Sequence, residues 1–168
     1  VNWEFYTDSD QGGDRSAENK GRSRSGCVAI ANGFPIMYRT KVTSVAMAHP
    51  AISEEGHADL SSTASEIYAS ANATMDFLHL SYFTEEMGRS IEQCPPIILK
   101  MDNPAAQAFA DDSAPTSTLR HIDLRQYWVQ CLRDHSLVRA EHVDTGNNLA
   151  DLWTKPLTGP AFFKLRGM

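Results

Sequence analysis

The sequence predicts an α/β fold in which one mixed, five-stranded sheet is flanked by helices. Three observations predict it. In CVAIANGFPIMYRTK two apolar runs are joined by Asn32-Gly33, a strong two-residue hairpin signal, so the chain opens with antiparallel strands. Beyond residue 60, stretches of helical periodicity alternate with the short strand-like runs IILKM and LVRAEHV, as in strands joined by helical crossovers. Helices and strands are interspersed, which argues against separate helical and sheet domains. A chain of 168 residues also suits one domain, 1–168, around one core.

Each element has its own signal. VNWEFYTD alternates, with Val1, Trp3 and Phe5 on one face and Asn2, Glu4 and Tyr6 on the other, and reads as the first strand, ending at Asp8. A polar loop rich in Gly and Arg follows, then the hairpin. Residues 42–60, with Pro50 and Gly56, read as an irregular insertion. STASEIYASANATMDFLHLSYFTEEMG reads as a long helix with Tyr68, Ala71, Met75, Leu78 and Tyr82 at helical spacing and Gly88 as its C-terminal cap. IILKM is a short buried strand. Asn103 and Pro104 open the next helix as N-cap and first helical residue. LRHIDLRQYWVQCLRDH forms another helix with Leu124, Trp128, Cys131 and Leu132 on one side. LVRAEHV is the fifth strand, NNLADLW starts the last helix, and TKPLTGP breaks it.

Composition narrows the class. An apolar fraction of 42% and a charged fraction of 21% are those of a globular protein. No apolar run approaches the roughly 20 residues that span a bilayer, and no signal peptide is present, so an intracellular, cytoplasmic protein without membrane contact is expected. The first residue is Val1, which suggests either a piece of a longer polypeptide or a trimmed chain. Cys27, Cys94 and Cys131 are odd in number and widely spaced, and read as free thiols. A net charge of −6 argues mildly against a pure nucleic-acid-binding module.

The order of elements singles out four carboxylates. Asp8 ends strand one and Asp102 ends strand four. If these strands are parallel neighbours, their aspartates converge where open sheets gather ligands. Glu66 lies in the first turn of the long helix and Asp151 in the first turn of the last. Four carboxylates around one point repel unless cations are bound, and hard oxygen donors suit Mg²⁺ or Mn²⁺. Taken singly, each has a plainer role: Thr63-Ala64-Ser65-Glu66 fits a capping box, Asp151 suits a helix dipole, and Asp8 and Asp102 suit turns.

These segments resemble the ribonuclease H domain of copia-type LTR retrotransposon polyproteins, across nearly the whole chain. TDSDQGGDR is similar to the family's SDADWAGD, RSRSGCVAIANGFPIMYRTK to its RKSTSGYVF…G…PISWSSKK hairpin, and LSSTASEIYA to LSSTEAEYIA. KMDNPAA, LRHIDLRQYWV and LADLWTKPL are similar to its CDNQSA, KHIDIRYHFV and LADILTKPL segments, the last being the most specific. The resemblance implies a ribonuclease H-like fold. It also implies a metal-dependent endonuclease that cuts the RNA strand of RNA–DNA hybrids, leaving 3′-hydroxyl and 5′-phosphate ends. Asp8, Glu66, Asp102 and Asp151 are implied as ligands of two Mg²⁺ ions, with Mn²⁺ as a substitute. Asp8 would be shared, Glu66 and Asp102 would complete one site, and Asp151 the other. One ion would activate a water while the second neutralises the leaving oxygen. The expected setting is a virus-like particle, beside a reverse transcriptase domain of the same polyprotein.

There are departures. Gln11 and Pro104 stand where the family has Trp and Gln, and residues 42–60 exceed its short link. Only Asp144 to Ala150 separates strand five from Asp151, without the loop histidine that some cellular relatives use. His142 lies inside the strand and reads as structural. Hybrids are recognised by groove shape and 2′-hydroxyls, which Ser62, Thr63 and Asn103 could contact, although Ser, Thr and Asn equally suit helix caps. Arg15, Lys20, Arg22 and Arg24 form a basic run that could hold phosphates or simply be solvated. His121, Asp123 and Arg125 read as a structural network, and a zinc site from His121, His135 and His142 lacks close-spaced ligands. Two rivals remain: a DDE-type integrase or transposase, which relies on three acids, and a degenerate, non-catalytic tethering domain.

Overall fold

The computed structural model describes residues 2–10, 23–42, 62–88, 96–113 and 127–168. Its order is β1 (Trp3–Asp10), β2 (Arg24–Ala31), β3 (Phe34–Val42), α1 (Ser62–Glu86), β4 (Ile97–Met101), α2 (Pro104–Ala110), α3 (Trp128–Asp134), β5 (Val138–His142), α4 (Asp151–Thr154) and α5 (Gly159–Arg166). This is the predicted order with one further helix, α5, after the break at Lys155–Pro156. Most of the basic run, residues 43–60, Cys94 and the helix residues 119–126, with His121, Asp123, Leu124 and Arg125, lie outside the described residues.

The five strands form one sheet in the order β3-β2-β1-β4-β5. β1–β2 and β2–β3 are antiparallel, and β1–β4 and β4–β5 are parallel. Asn32 (φ 49) and Gly33 (φ 84) both take positive φ between paired Ala31 and Phe34. That is the backbone a two-residue hairpin turn matched to strand twist requires, and Asn-Gly adopts it most readily. The parallel pairing of β1 with β4 brings their C-terminal ends together. Asp8 is inside β1, two residues before its end, rather than terminal, because pairing with β2 continues to Asp10 opposite Arg24.

Both faces of the sheet are covered. One carries Trp3, Phe5, Ala29, Leu99 and Val138 against Ile67 and Phe77 of α1, Phe109 of α2, and Val129 and Leu132 of α3. The other carries a smaller cluster of Tyr6, Val28 and Ile30 against Ala150, flanked by Leu149 and Trp153. Tyr38 of edge strand β3 stacks on Trp153, rings 4.1 Å apart and 7° from parallel, and so ties α4 to the sheet.

Two helices bury a different face from the one the large apolar residues suggest. In α1, Tyr68, Met75 and Tyr82 are exposed, while Ile67, Ser70, Ala71, Thr74, Phe77 and Ser81 are buried. The hydroxyls in that stripe bond back to their own helix: Ser70 to the Ile67 carbonyl at 2.8 Å, Thr74 to Ala71 at 2.8 Å and Ser81 to Leu78 at 2.7 Å. A back-bonded hydroxyl carries no unmet partner into the core, so small polar residues can pack where periodicity looks for large apolar ones. In α3, Val129 and Leu132 are buried and Trp128 and Cys131 are exposed. Among the described residues, no helix is long and apolar enough to cross a membrane.

Candidate active site

Asp8 lies on the Glu4–Tyr6 face of β1 by strand alternation and is fully buried. One of its oxygens, Oδ1, accepts from Lys155 Nζ at 2.9 Å, and the other accepts from the Thr154 hydroxyl. Glu66 is the fifth residue of α1 and is 6% exposed. It does not close a capping box: Ser9 N donates to its Oε1 at 3.2 Å, which ties the start of α1 to the end of β1. Asp102 follows β4 directly and is half-buried.

These three converge. Asp8, Glu66 and Asp102 each offer a carboxylate oxygen, and the three atoms lie within 4.8 Å of one another. Among the described residues, this is where His, Cys, Asp or Glu side chains gather closely enough to hold a metal ion. The donors are all oxygen, as a hard divalent ion prefers. The fit is supported by one atom in particular: Glu66 Oε2 is buried with no hydrogen-bond partner. Burial pushes the Glu66 carboxyl up to about 9, and the neighbouring charges of Asp8 and Asp102 push the same way. Without a cation, Glu66 holds a proton at neutral pH.

Asp151 opens α4 and is buried. It is held at this end of the sheet but stands outside the close trio, and meets Asp8 through Lys155, whose Nζ is 2.8 Å from Asp151 Oδ1. Burial raises its carboxyl to about 6, against the hydrogen bond from Lys155, which lowers it. Burial alone would lower the Lys155 ammonium, but Asp8 and Asp151 outweigh it and hold Lys155 charged.

The local chain explains how α4 reaches this position. Gly26 is the β2 partner of Asp8. A Cβ there would lie 2.6 Å from Thr154 Cγ2 and 3.3 Å from Trp153 Cβ, so a glycine is what lets α4 settle on the sheet. Fully buried Asn148 donates to the Thr7 carbonyl at 2.9 Å and accepts from Ala150 N at 3.1 Å, pinning the turn before α4 to β1. Sequence reasoning missed Asn148, Thr154 and Lys155. The signal for Lys155 was present, since a basic residue four positions after Asp151 faces it on a helix.

The candidate substrate contacts are placed less tightly. Ser62 is exposed and Thr63 half-buried, both in the first turn of α1 near Glu66. Asn103 caps α2, its Oδ1 accepting from Ala105 N at 2.9 Å and Ala106 N at 3.2 Å. Arg24 starts β2 opposite Asp10, and Arg15 and Arg22 lie outside the described residues. His142 is exposed at the end of β5, and the His135 ring bonds the Cys131 carbonyl at 2.8 Å. The zinc trio set aside from the sequence includes His121, which lies outside the described residues.

No family model matches the chain. Over 150 residues it is 24% identical to the Retrovirus-related Pol polyprotein from transposon TNT 1-94 of Nicotiana tabacum, which covers 89% of this chain and 10% of that polyprotein. Over 102 residues it is 30% identical to the corresponding polyprotein from transposon RE2 of Arabidopsis thaliana, covering 61% of this chain and 7% of the relative. The chain thus spans about a tenth or less of the relatives it matches. Among solved structures, it is similar to the N-terminal RNase H domain of a Mycobacterium tuberculosis protein, with TM-score 0.58, 11% identity and coverage of 99% and 97% of the two chains. RNase H1 of Halobacterium salinarum gives TM-score 0.56 at 14% identity over 92% of this chain and 95% of that one. LC11-RNase H1, solved in complex with an RNA/DNA hybrid, gives 0.57 at 13% over 90% and 93%. The chain is therefore similar to part of plant-transposon Pol polyproteins and has the ribonuclease H-like fold that its resemblance to the copia-type domain implied.

Proposed function

We propose that this chain hydrolyses the RNA strand of RNA–DNA hybrids internally, with two divalent ions, Mg²⁺ or in its place Mn²⁺, in the reverse transcription of a retroelement. The observation that carries this reading is the meeting of Asp8, Glu66 and Asp102 within 4.8 Å at the C-terminal ends of parallel strands, with a buried, unpartnered Glu66 oxygen among them. Bound there, the ions would supply an activated water and neutralise the leaving 3′-oxygen. Asp8 would be shared between them, Glu66 and Asp102 would complete one position, and Asp151 the other.

The chain's own residues supply the rigid frame that positioning chemistry requires. Asp8 is held at one oxygen by Thr154 of α4, and Glu66 by the backbone of Ser9. Ser62, Thr63, Asn103, Arg15, Arg22 and Arg24 would meet the hybrid's groove and phosphates. The cap takes up Asn103 Oδ1, so its contact with the groove would fall to the amide nitrogen. A neighbour of the same fold is known with an RNA/DNA hybrid, which supports this substrate class. As a single domain of a longer polyprotein, the chain would act beside its reverse transcriptase in a cytoplasmic particle.

A gel assay tests this reading. RNA–DNA hybrid, duplex RNA and duplex DNA are incubated with and without Mg²⁺. Cleavage of the hybrid alone, and only with metal, is expected. Joining of donor DNA ends without hybrid cleavage would instead identify an integrase-like activity, and no reaction on any substrate would favour a tethering domain.

A further inference from the structure

Lys155 closes a gap in the charge distribution that no carboxylate can. Its Nζ lies 2.9 Å from Asp8 Oδ1 and 2.8 Å from Asp151 Oδ1. Those two oxygens belong to the acids proposed to flank the second ion. Mg²⁺ binds oxygen at roughly 2.0–2.1 Å. An ion held by these same two oxygens would compete with the ammonium for them. We propose that Lys155 is the resident cation of the Asp8–Asp151 pair and that a divalent ion reaches these two carboxylates only by displacing it. Lys155 then sets how readily this half of the cluster fills with metal. The inference rests on the metal-dependent reading above.

Three further features fit a cation that can leave. The Lys155 side chain is 30% exposed, whereas those of Asp8 and Asp151 are 1% and 7% exposed, so the ammonium is the most open to water of the three. Lys155 has left the helix (φ −118, ψ 145), the extended conformation that the following Pro156 imposes, so its side chain can swing without unwinding α4. Asp8 Oδ2 accepts from Thr154, so Lys155 is not the sole partner of this carboxylate. Among the described residues the other half of the cluster has no such occupant, and buried Glu66 Oε2 has no hydrogen-bond partner. One side of the cluster thus has a cationic side chain bonded to its acids, and the other has an unpartnered carboxylate oxygen.

The test is Mn²⁺ binding to the full chain, measured by calorimetry and by electron paramagnetic resonance of free Mn²⁺, with wild type, Lys155→Met and Lys155→Arg. Lys155→Met should bind Mn²⁺ about tenfold more tightly at one position, within the range usual for coupled binding events. Its metal-free form should melt below wild type and regain the loss when Mn²⁺ is added, which a merely structural lysine would not produce. Lys155→Arg should bind as wild type does. Should Lys155→Met fail to fold without metal, Lys155→Gln, which keeps a donor but no charge, is held to the same tighter binding. Affinity in the uncharged variants equal to or weaker than wild type overturns the proposal and leaves the metal reading intact. Absence of Mn²⁺ binding in every form overturns both.

Discussion

Glu66, on the α1 side of the acidic cluster, and Asp151, on the α4 side, are both buried carboxylates influenced by Asp8, yet they meet different charges. Asp151 shares Lys155 with Asp8, and its carboxyl rises only to about 6. Glu66 has a backbone N–H from Ser9 on one oxygen and nothing on the other, and its carboxyl rises to about 9. Burial is the leading cause in both cases. One difference is a directly bonded positive partner: Asp151 has Lys155, which lowers the Glu66 carboxyl only through its charge. A buried carboxylate that has one can remain charged, and one that lacks it must take a proton or an external cation. Under the proposed function, the α1 side is therefore where metal dependence would be built most deeply into the fold.

The largest effect that would break this comparison is loss of Asp102, the acid that loads the α1 side. Asp102→Asn should lower hybrid cleavage by more than roughly a hundredfold, beyond what removal of an outer-shell partner costs, while circular dichroism shows the fold retained. Substantial cleavage by a folded Asp102→Asn protein would remove this acid from the site.

Acidity gives the next effect. The folded protein keeps a proton on Glu66 that the unfolded chain releases near 4.5, so metal-free stability is full below that pH and falls as pH rises toward about 9. One retained proton corresponds to a slope of about 1.4 kcal/mol per pH unit at most. Asp151 adds to the fall only up to about pH 6. Urea unfolding across pH 5 to 9 should show the decline, and saturating Mg²⁺ should flatten it. A stability that rises through this range without metal would mean that Glu66 is charged and paired.

Gly26 allows the α4 side to be disturbed alone. Gly26→Ala puts a methyl group against Thr154 and Trp153, an overpacking that should cost about 1–3 kcal/mol and move α4 off Asp8. The steep pH dependence from Glu66 should survive, because α1 is untouched. Loss of that slope together with stability would show that the two sides do not act separately.

Much of this was legible in the sequence, and the reasons are specific. Asn32-Gly33 fixed the hairpin because few other pairs take two positive φ angles, and the order of strands and helices placed Asp8 beside Asp102 before any contact was known. The resemblance selected the same four acids. What escaped notice depended on distances between elements far apart in the chain. Lys155 looked like part of a helix break, yet its extended backbone and buried neighbours make it the partner of two acids. Asn148 looked like a loop residue, yet its amide bonds Thr7, 141 positions away. Gly26 read as the last residue of the polar loop, yet it lies within β2, and α4 occupies the space of its missing side chain. The α1 stripe was missed for another reason: its Ser and Thr hydroxyls satisfy themselves inside the helix, which hydrophobicity patterns do not register.

The claim that Asp8, Glu66 and Asp102 form a cation site is tested most directly by thermal unfolding at pH 8, with and without millimolar Mg²⁺, for wild type and Glu66→Gln. A ligand of the folded state stabilises it by about 2.7 kcal/mol at a hundred times its Kd, which is roughly 5–11 °C for a chain of this size. The account predicts a shift of that order in wild type. Metal-free Glu66→Gln should melt higher than metal-free wild type and respond far less to Mg²⁺. An unchanged melting temperature for wild type in Mg²⁺, or an equal shift in Glu66→Gln, would contradict it.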